Sequence, residues 1–230
     1  MGIDPIRQRD MLEEAVDVLV PLLSGETVTH KADWFELKDA RLQLRPFTHP
    51  RVHMAVASAI SPTGALIAGK HGLGLLSFAA TSKAGFISLP KNWGIAIQCA
   101  TENGKQMKRD DWRLVGPMHI AESRKQAKEN VRYGLEDFVW YFNNVAGLPF
   151  NWEGDFDTLV DIFNETGFGV IGDPDDAIAQ LEHLWEHSGG FGCFLQMAHN
   201  WADFAQTKRS YELIARYVMP HINSLNEYRD

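Results

Sequence analysis

Apolar and polar positions alternate along this chain with two different periods. Leu12, Ala15, Val16, Leu19, Leu22 and Leu23 return at helical spacing. That predicts an amphipathic helix opening at Asp4-Pro5, with proline at its first position, and ending at Gly25. From Glu26 to Phe47 short runs of Thr, Val, Phe and Leu carry interspersed charges, the pattern of a small hairpin excursion. Val52 to Ala57 is a nearly continuous apolar run of strand length, as expected for a parallel strand covered on both faces. Leu66, Ile67 and Gly69 carry a short helix, and "GLGLLSF" from Gly72 reads as a second strand. Helix resumes at Ser82 and is expected to break or kink at Pro90. "WRLVGPMHI", Trp112 to Ile120, is a third strand.

Ser123 with Gln126 forms a capping-box signal, and one helix follows with Ala127, Val131, Leu135, Phe138, Phe142 and Val145 on a single face. A Gly- and aromatic-rich excursion runs through Trp152. Asp173-Pro174 then opens a helix that points Ile178, Leu181, Leu184 and Trp185 inward and ends at Gly189-Gly190. "GCFLQMA" is a fourth strand, and a last helix holding Phe204, Tyr211, Ile214 and Val218 stops at Pro220. Strands separated by helices, with crossovers of about 20 to 80 residues, predict parallel βα units in a barrel or an open sheet. The fold class is α/β. Without internal repeats, low-complexity linkers or a break in composition, the 230 residues read as a single domain.

Composition narrows the function. A formal net charge of −8 leaves no basic track for nucleic acid. Cys99 and Cys193 stand far apart with no second ligand at metal spacing, which argues against a disulfide framework and a zinc site and for a reducing compartment. The first ten residues, "MGIDPIRQRD", lack a signal-peptide apolar run, and no later segment has the length and apolarity of a membrane span. The cytoplasm is the expected location.

Two helix starts differ in charge. A helix N-terminus offers unpaired backbone N–H groups and a partial positive charge, so it is either capped by its own acidic side chains or open to an outside anion. Asp173, Asp175 and Asp176 crowd one such end. At Ser61-Pro62-Thr63-Gly64 the first turn is uncharged, supplies two hydroxyls and includes a glycine that permits close approach to the backbone. The competing reading makes Ser61 an ordinary N-cap before a proline.

"VASAISPTGALIAGKHGLGLLSF", "VIGDPDDAIAQLEHLWEHSGGFGCFLQM" and "YVMPHI" together resemble the second half of the bacterial luciferase-like flavin-dependent monooxygenases, in their limonene monooxygenase-like branch. The resemblance implies a (β/α)8 TIM barrel with FMN at the C-terminal ends of the strands. Ala57, Ser58 and Ser61 would then lie beside the phosphate and ribityl chain, and Val56 and Phe78 at the isoalloxazine, Phe78 standing where luciferase itself carries Trp. It further implies a two-component enzyme taking reduced FMN from a separate flavin reductase and using dioxygen on a small apolar substrate of terpene, alkane or aldehyde type. A deazaflavin-dependent oxidoreductase and a non-catalytic flavin-binding or assembly subunit are the alternatives.

A complete barrel takes about 250 residues, and four strands are legible here. The expectation is therefore a C-terminal half of about four βα units plus the hairpin, N-terminally truncated, with strands one to four and the family's catalytic His missing. Such a piece would be inactive alone and would self-associate through its unpaired sheet edges. Of the histidines, His199 follows the last strand at the face where barrels place their sites and is a candidate for the substrate pocket; His71 reads as structural. Glu122, Asp155 and Asp157 show no acid–base pairing, and no dinucleotide fingerprint follows a strand.

Overall fold

The computed structural model describes residue 4 and residues 6–49, 51–146 and 150–226. Pro5, expected to open the first helix, lies outside them. The chain divides into two compact units. One takes the chain up to Leu76 together with Lys91–Trp112, and the other takes Ser77–Pro90 together with the chain from Arg113.

In the first unit, the Ile6 amide donates to Asp4 Oδ1 at 2.9 Å just before α1, Gln8–Leu23. Val16 and Val18 are buried, while Leu12 and Leu19 of the expected apolar stripe are more than 40% exposed, at 42% and 43%. The hairpin appears where expected, as β1 (Val28–Lys31) and β2 (Glu36–Ala40) in antiparallel pairing. β3 (Ala55–Ser58) buries Val56 and Ser58 and leaves Ala55 and Ala57 exposed. The double-sided burial expected of it is thus not observed. α2 (Thr63–His71) returns to β4 (Gly74–Ser77), the neighbour of β3. Lys70 Nζ lies 2.9 Å from Glu13 and Asp17, and His71 Nε2 lies 2.8 Å from Asp17. These contacts tie α2 to α1, so His71 is structural.

α3 (Lys83–Glu102) runs unbroken through Pro90, against the expected break, and the boundary between the two units falls just after that proline. A proline removes one helical hydrogen bond and crowds one carbonyl, and here the surrounding helix absorbs both. The indoles of Trp93 and Trp112 stack 4.7 Å apart at 10° in the first unit.

The single third strand expected over 112–120 is two strands. β5 (Trp112–Gly116) pairs in parallel with a strand near the C-terminus, and β6 (Met118–Ile120) pairs in parallel elsewhere. Pro117 stands between them; lacking an N–H, it cannot continue a ladder. The long helix expected after Ser123 is likewise divided. Ser123 Oγ accepts from Gln126 N at 3.2 Å and opens α4 (Arg124–Asn130), a short 3-10 turn and Gly134 intervene, and α5 (Leu135–Asn144) follows. Two elements were not expected at all: α6 (Phe156–Glu165), N-capped by Asp155, and β7 (Val170–Gly172), the partner of β6.

α7 (Pro174–Ser188) and β8 (Cys193–Gln196), the partner of β5, match expectation. The last helix does not stop at Pro220. α8 (Phe204–Leu213) continues through a π-helical turn, Ile214–Val218, into α9 (Met219–Asn226). The core of the second unit is aromatic: Phe138, Trp152, Phe156, Phe163, Phe168 and Trp201 are buried together. No helix among the described residues is long and apolar enough to cross a membrane.

The contact between α2 and α3 depends on a missing side chain. A Cβ at Gly69 would lie 2.5 Å from the Ala96 carbonyl oxygen and 2.8 Å from Cys99 Cβ, whereas one at Gly94, exposed on α3, would meet nothing within 4 Å. Gly69→Ala is expected to destabilise by about 1–3 kcal/mol through overpacking. Gly94→Ala should stabilise by up to about 1 kcal/mol through helix propensity. Urea unfolding of the two variants beside the parent should show opposite shifts in midpoint.

Candidate functional site

β3 ends at Ser58, and the chain turns through Ser61-Pro62 into α2. Pro62 occupies the N-cap position in helical conformation, φ −77° and ψ −3°, and no side chain caps the helix. Ser61 is therefore not the N-cap that a serine before a proline suggests. It contributes its carbonyl instead, which accepts from Ser58 Oγ at 3.4 Å. Ser58 is only 3% exposed, and the first turn of α2 carries no acidic residue. Gly64 sits so close to the strand end that a Cβ there would lie 2.3 Å from the Ala57 carbonyl oxygen.

The start of α7 is the internal comparison. Asp173 Oδ1 accepts from the amides of Asp175 and Asp176 at 3.1 and 3.2 Å, and Asp176 Oδ2 accepts from the Asp173 amide at 3.1 Å. Arg124 donates to both oxygens of Asp176, at 2.6 and 2.8 Å. Burial works to raise the Asp176 carboxyl, but the bonds from Arg124 and Asp173 overcome it and hold the group below its ordinary range. That helix end already has its anion. The end of α2 carries neither an acidic residue in its first turn nor a side-chain cap, so its partial positive charge is not neutralised by its own side chains.

Of the residues expected at a flavin, Val56 and Ser58 share the buried face of β3, Ala57 points to the other face, and Ser61 is half-buried in the turn. Phe78 directly follows β4, is 46% exposed and belongs to the second unit.

His199 belongs to a buried arrangement in the second unit. Its Nδ1 accepts from the Trp201 amide at 3.3 Å, so the ring proton is on Nε2, which donates to the Met118 carbonyl at 3.1 Å. The ring stacks on Trp201 at 4.1 Å and 23°. Next in sequence to Met118, His119 is wholly buried. Gln126 Nε2 donates to Asn130 Oδ1 at 2.7 Å, and Asn130 Nδ2 therefore donates to His119 Nε2 at 3.2 Å. That relay places the His119 proton on Nδ1, which has no partner, and Trp201 Nε1 is likewise unpartnered. Both imidazoles are pushed down to about 4. Burial is the main cause in each: the neighbouring His199 adds to it at His119 while Asp203 opposes, and at His199 the Met118 bond opposes. His199 also lines a cavity of about 390 Å³ whose wall combines Phe138, Tyr141, Phe142 and Met197 with Asp137 and Asn200. The Gln126–Asn130–His119 relay was not legible in the sequence; its one signal was a histidine inside an apolar strand.

The family model for luciferase-like monooxygenases matches residues 1–191. The chain belongs to the luciferase-like monooxygenase family. Limonene 1,2-monooxygenase of Rhodococcus erythropolis is 46% identical over 223 residues, which are 97% of this chain and 57% of that protein. A 4-hydroxyprotoasukamycin monooxygenase of Streptomyces nodosus subsp. asukaensis is 36% identical over 230 residues, 97% of this chain and 61% of its own length. The chain thus spans about three-fifths of the curated relatives it matches, 57% and 61%. Among solved structures, a monooxygenase from Streptomyces bottropensis superposes with a TM-score of 0.76 at 19% identity, covering 95% of this chain and 63% of that one. The oxygenating constituent of 3,6-diketocamphane monooxygenase from Pseudomonas putida, solved with FMN, gives 0.66 at 20% identity, covering 96% and 66%. The fold of this luciferase-like chain is accordingly α/β and corresponds to part of a (β/α)8 barrel.

The two neutral histidines make stability depend on pH with a definite sign. Their folded values, about 4, lie below the ordinary 6.5, so the unfolded chain binds more protons between those limits. Their contribution is complete above about pH 6.5 and is lost as pH falls towards 4. Between pH 7 and pH 5 the chain should lose about 2–4 kcal/mol, read from urea unfolding at each pH. His199→Gln, which cannot titrate, should shrink that difference; an unchanged slope would refute the assignment.

Proposed function

We propose that this luciferase-like chain forms the C-terminal, phosphate-holding part of a flavin-dependent monooxygenase of the two-component kind. It would use reduced FMN from a separate reductase, with dioxygen, on a small apolar substrate. The observation that carries the reading is the start of α2: an uncapped, uncharged helix N-terminus pressed against the end of β3 beside buried Ser58. An anion suits such an end, because the backbone N–H groups of the first turn and the Ser61 and Thr63 hydroxyls are donors, while the Ser58 hydroxyl is engaged with the Ser61 carbonyl and braces the turn. The 46% identity to a limonene monooxygenase supports an apolar substrate, and the FMN-bound structural relative supports FMN.

Within this reading Ala57, Ser58 and Ser61 lie beside the phosphate and ribityl chain, and Val56 contacts the isoalloxazine. Oxygen activation is the chemistry that the flavin supplies when bound. The protein's share is to orient the flavin and to exclude water. His199, neutral and donating to a backbone carbonyl, is suited to line an apolar pocket rather than to transfer protons at neutral pH. Phe138, Tyr141, Phe142 and Met197 offer its cavity an apolar side, with Asp137 and Asn200 as the polar part of the wall.

FMN titration followed by flavin fluorescence tests the phosphate site. Ser61→Ala should weaken binding by about 1 kcal/mol through loss of one hydrogen bond to a charged group. Ser61→Asp should weaken it more than tenfold, since its carboxylate would occupy the anion's place. Unchanged affinity in Ser61→Asp would remove the phosphate from this turn. Oxygen uptake with reduced FMN supports the monooxygenase; turnover with a reduced deazaflavin alone would assign the deazaflavin-dependent alternative.

A further inference from the structure

The C-terminal helical run is deformed at one place, and that deformation borders an apolar cavity. Ser210 is buried in α8, and its Oγ accepts from the Ile120 amide of β6 at 2.9 Å, which fixes the distance of the helix from that strand. Ten residues later stands Pro220, whose ring crowds the carbonyl of Arg216 and whose nitrogen has no proton to give. The helix answers with the π turn over Ile214–Val218. A π turn spreads an extra residue into the helical circumference, and such turns recur at functional sites.

Ile214 and Val218 of this turn line a cavity of about 280 Å³. Its other walls include Met118 of β6, Phe194 of β8, Leu181 of α7, Phe191, and Ile222 of α9. Met118, Leu181, Phe191 and Val218 are each at most 5% exposed, so the floor of the space is held by the core, while Cys193, Met219 and Asn223 form its exposed rim. The polar groups of the lining are mostly occupied. Gln196 Nε2 donates to the Met118 carbonyl at 2.7 Å, and Cys193 Sγ lies 3.6 Å from the Phe194 carbonyl. Asn223 is the other polar side chain present, and no charged residue lines the space.

We propose that this cavity is a binding site for a small, uncharged apolar molecule, of the size of a substituted benzene or slightly larger, with the π turn as its flexible wall. A water cluster would find few unsatisfied partners there, and apolar cavities of this kind stay dry and accept apolar guests. Burial against the hydrophobic side chains of the lining supplies the affinity, in proportion to the apolar area covered. The site shares no lining residue with the cavity at His199. It requires no flavin, so its test is independent of the proposed function.

The experiment uses the 230-residue chain with p-xylene as the probe and benzoate, a charged ring, as the control. With p-xylene at ten times its Kd, the melting temperature should rise by about 3–5 °C in a saturable manner, and benzoate should give no rise. Val218→Trp, which fills the space, should abolish the shift, and Ile222→Phe should reduce it at least threefold. Should Val218→Trp fail to fold, methyl NMR of the parent decides alone: saturable shifts at Met118, Leu181, Val218 and Ile222 support the site. No thermal shift, no methyl response, or a shift retained in both filled variants overturns it.

Discussion

The first turn of α2 comes so close to the Ala57 carbonyl of β3 that the approach is possible only because residue 64 has no side chain. Everything that gives the turn its chemistry depends on that approach. It brings the uncapped start of the helix against the end of the strand, next to buried Ser58. A second exclusion of the same kind, at Gly69, lets the far end of the helix lie against α3. Both ends of the helix are thus fixed by backbone proximity. An uncapped, uncharged helix start held against the strand follows from that packing.

The second unit meets its polar obligations differently. Its core is dominated by aromatic rings in edge and tilted contact, such as Phe138 on Trp201 at 5.2 Å and Trp152 on Phe163 at 4.8 Å. Rings of this size fill volume efficiently but offer few hydrogen bonds. The polar atoms carried into that environment are handled through fixed tautomers: His199 gives its proton to a backbone carbonyl, and His119 keeps its proton where nothing accepts it. A low dielectric is what holds both rings neutral, and the same low dielectric raises the cost of the two unpartnered donors.

Much of this was legible from the sequence, and what was not has common causes. Helices with strong ends, such as α7 with Asp173-Pro174 and Gly189, and the hairpin at 28–40 were read closely, because their signals are local. The segments 112–120 and 123–145 were each read as one element, since their apolar pattern continues through Pro117 and Gly134, yet those residues divide them. Composition there outweighed backbone chemistry. α6 was overlooked although Phe156, Leu159, Val160 and Phe163 have helical spacing behind the Asp155 cap, because the aromatic residues around it suggested an irregular excursion. At the candidate site the residue types were legible but the role of Ser61 was not: whether a serine before proline caps a helix depends on its backbone angles, which no spacing reveals.

Trp93 and Trp112 lie face to face in the first unit, 4.7 Å apart at 10°, while in the second unit Trp152 stacks on Phe150 at 12° and tilts to Phe163 at 52°, and Trp201 stacks on His199 at 23° and meets Phe138 edge-on at 86°. Aromatic side chains give near-ultraviolet circular dichroism only while they are held in asymmetric surroundings. The two sets of indoles are held by different neighbours, a second indole and the Arg109 guanidinium in one unit, phenyl rings and an imidazole in the other. Loss of that signal on unfolding therefore reports packing in both units, and replacing Trp93 or Trp201 apportions it between them.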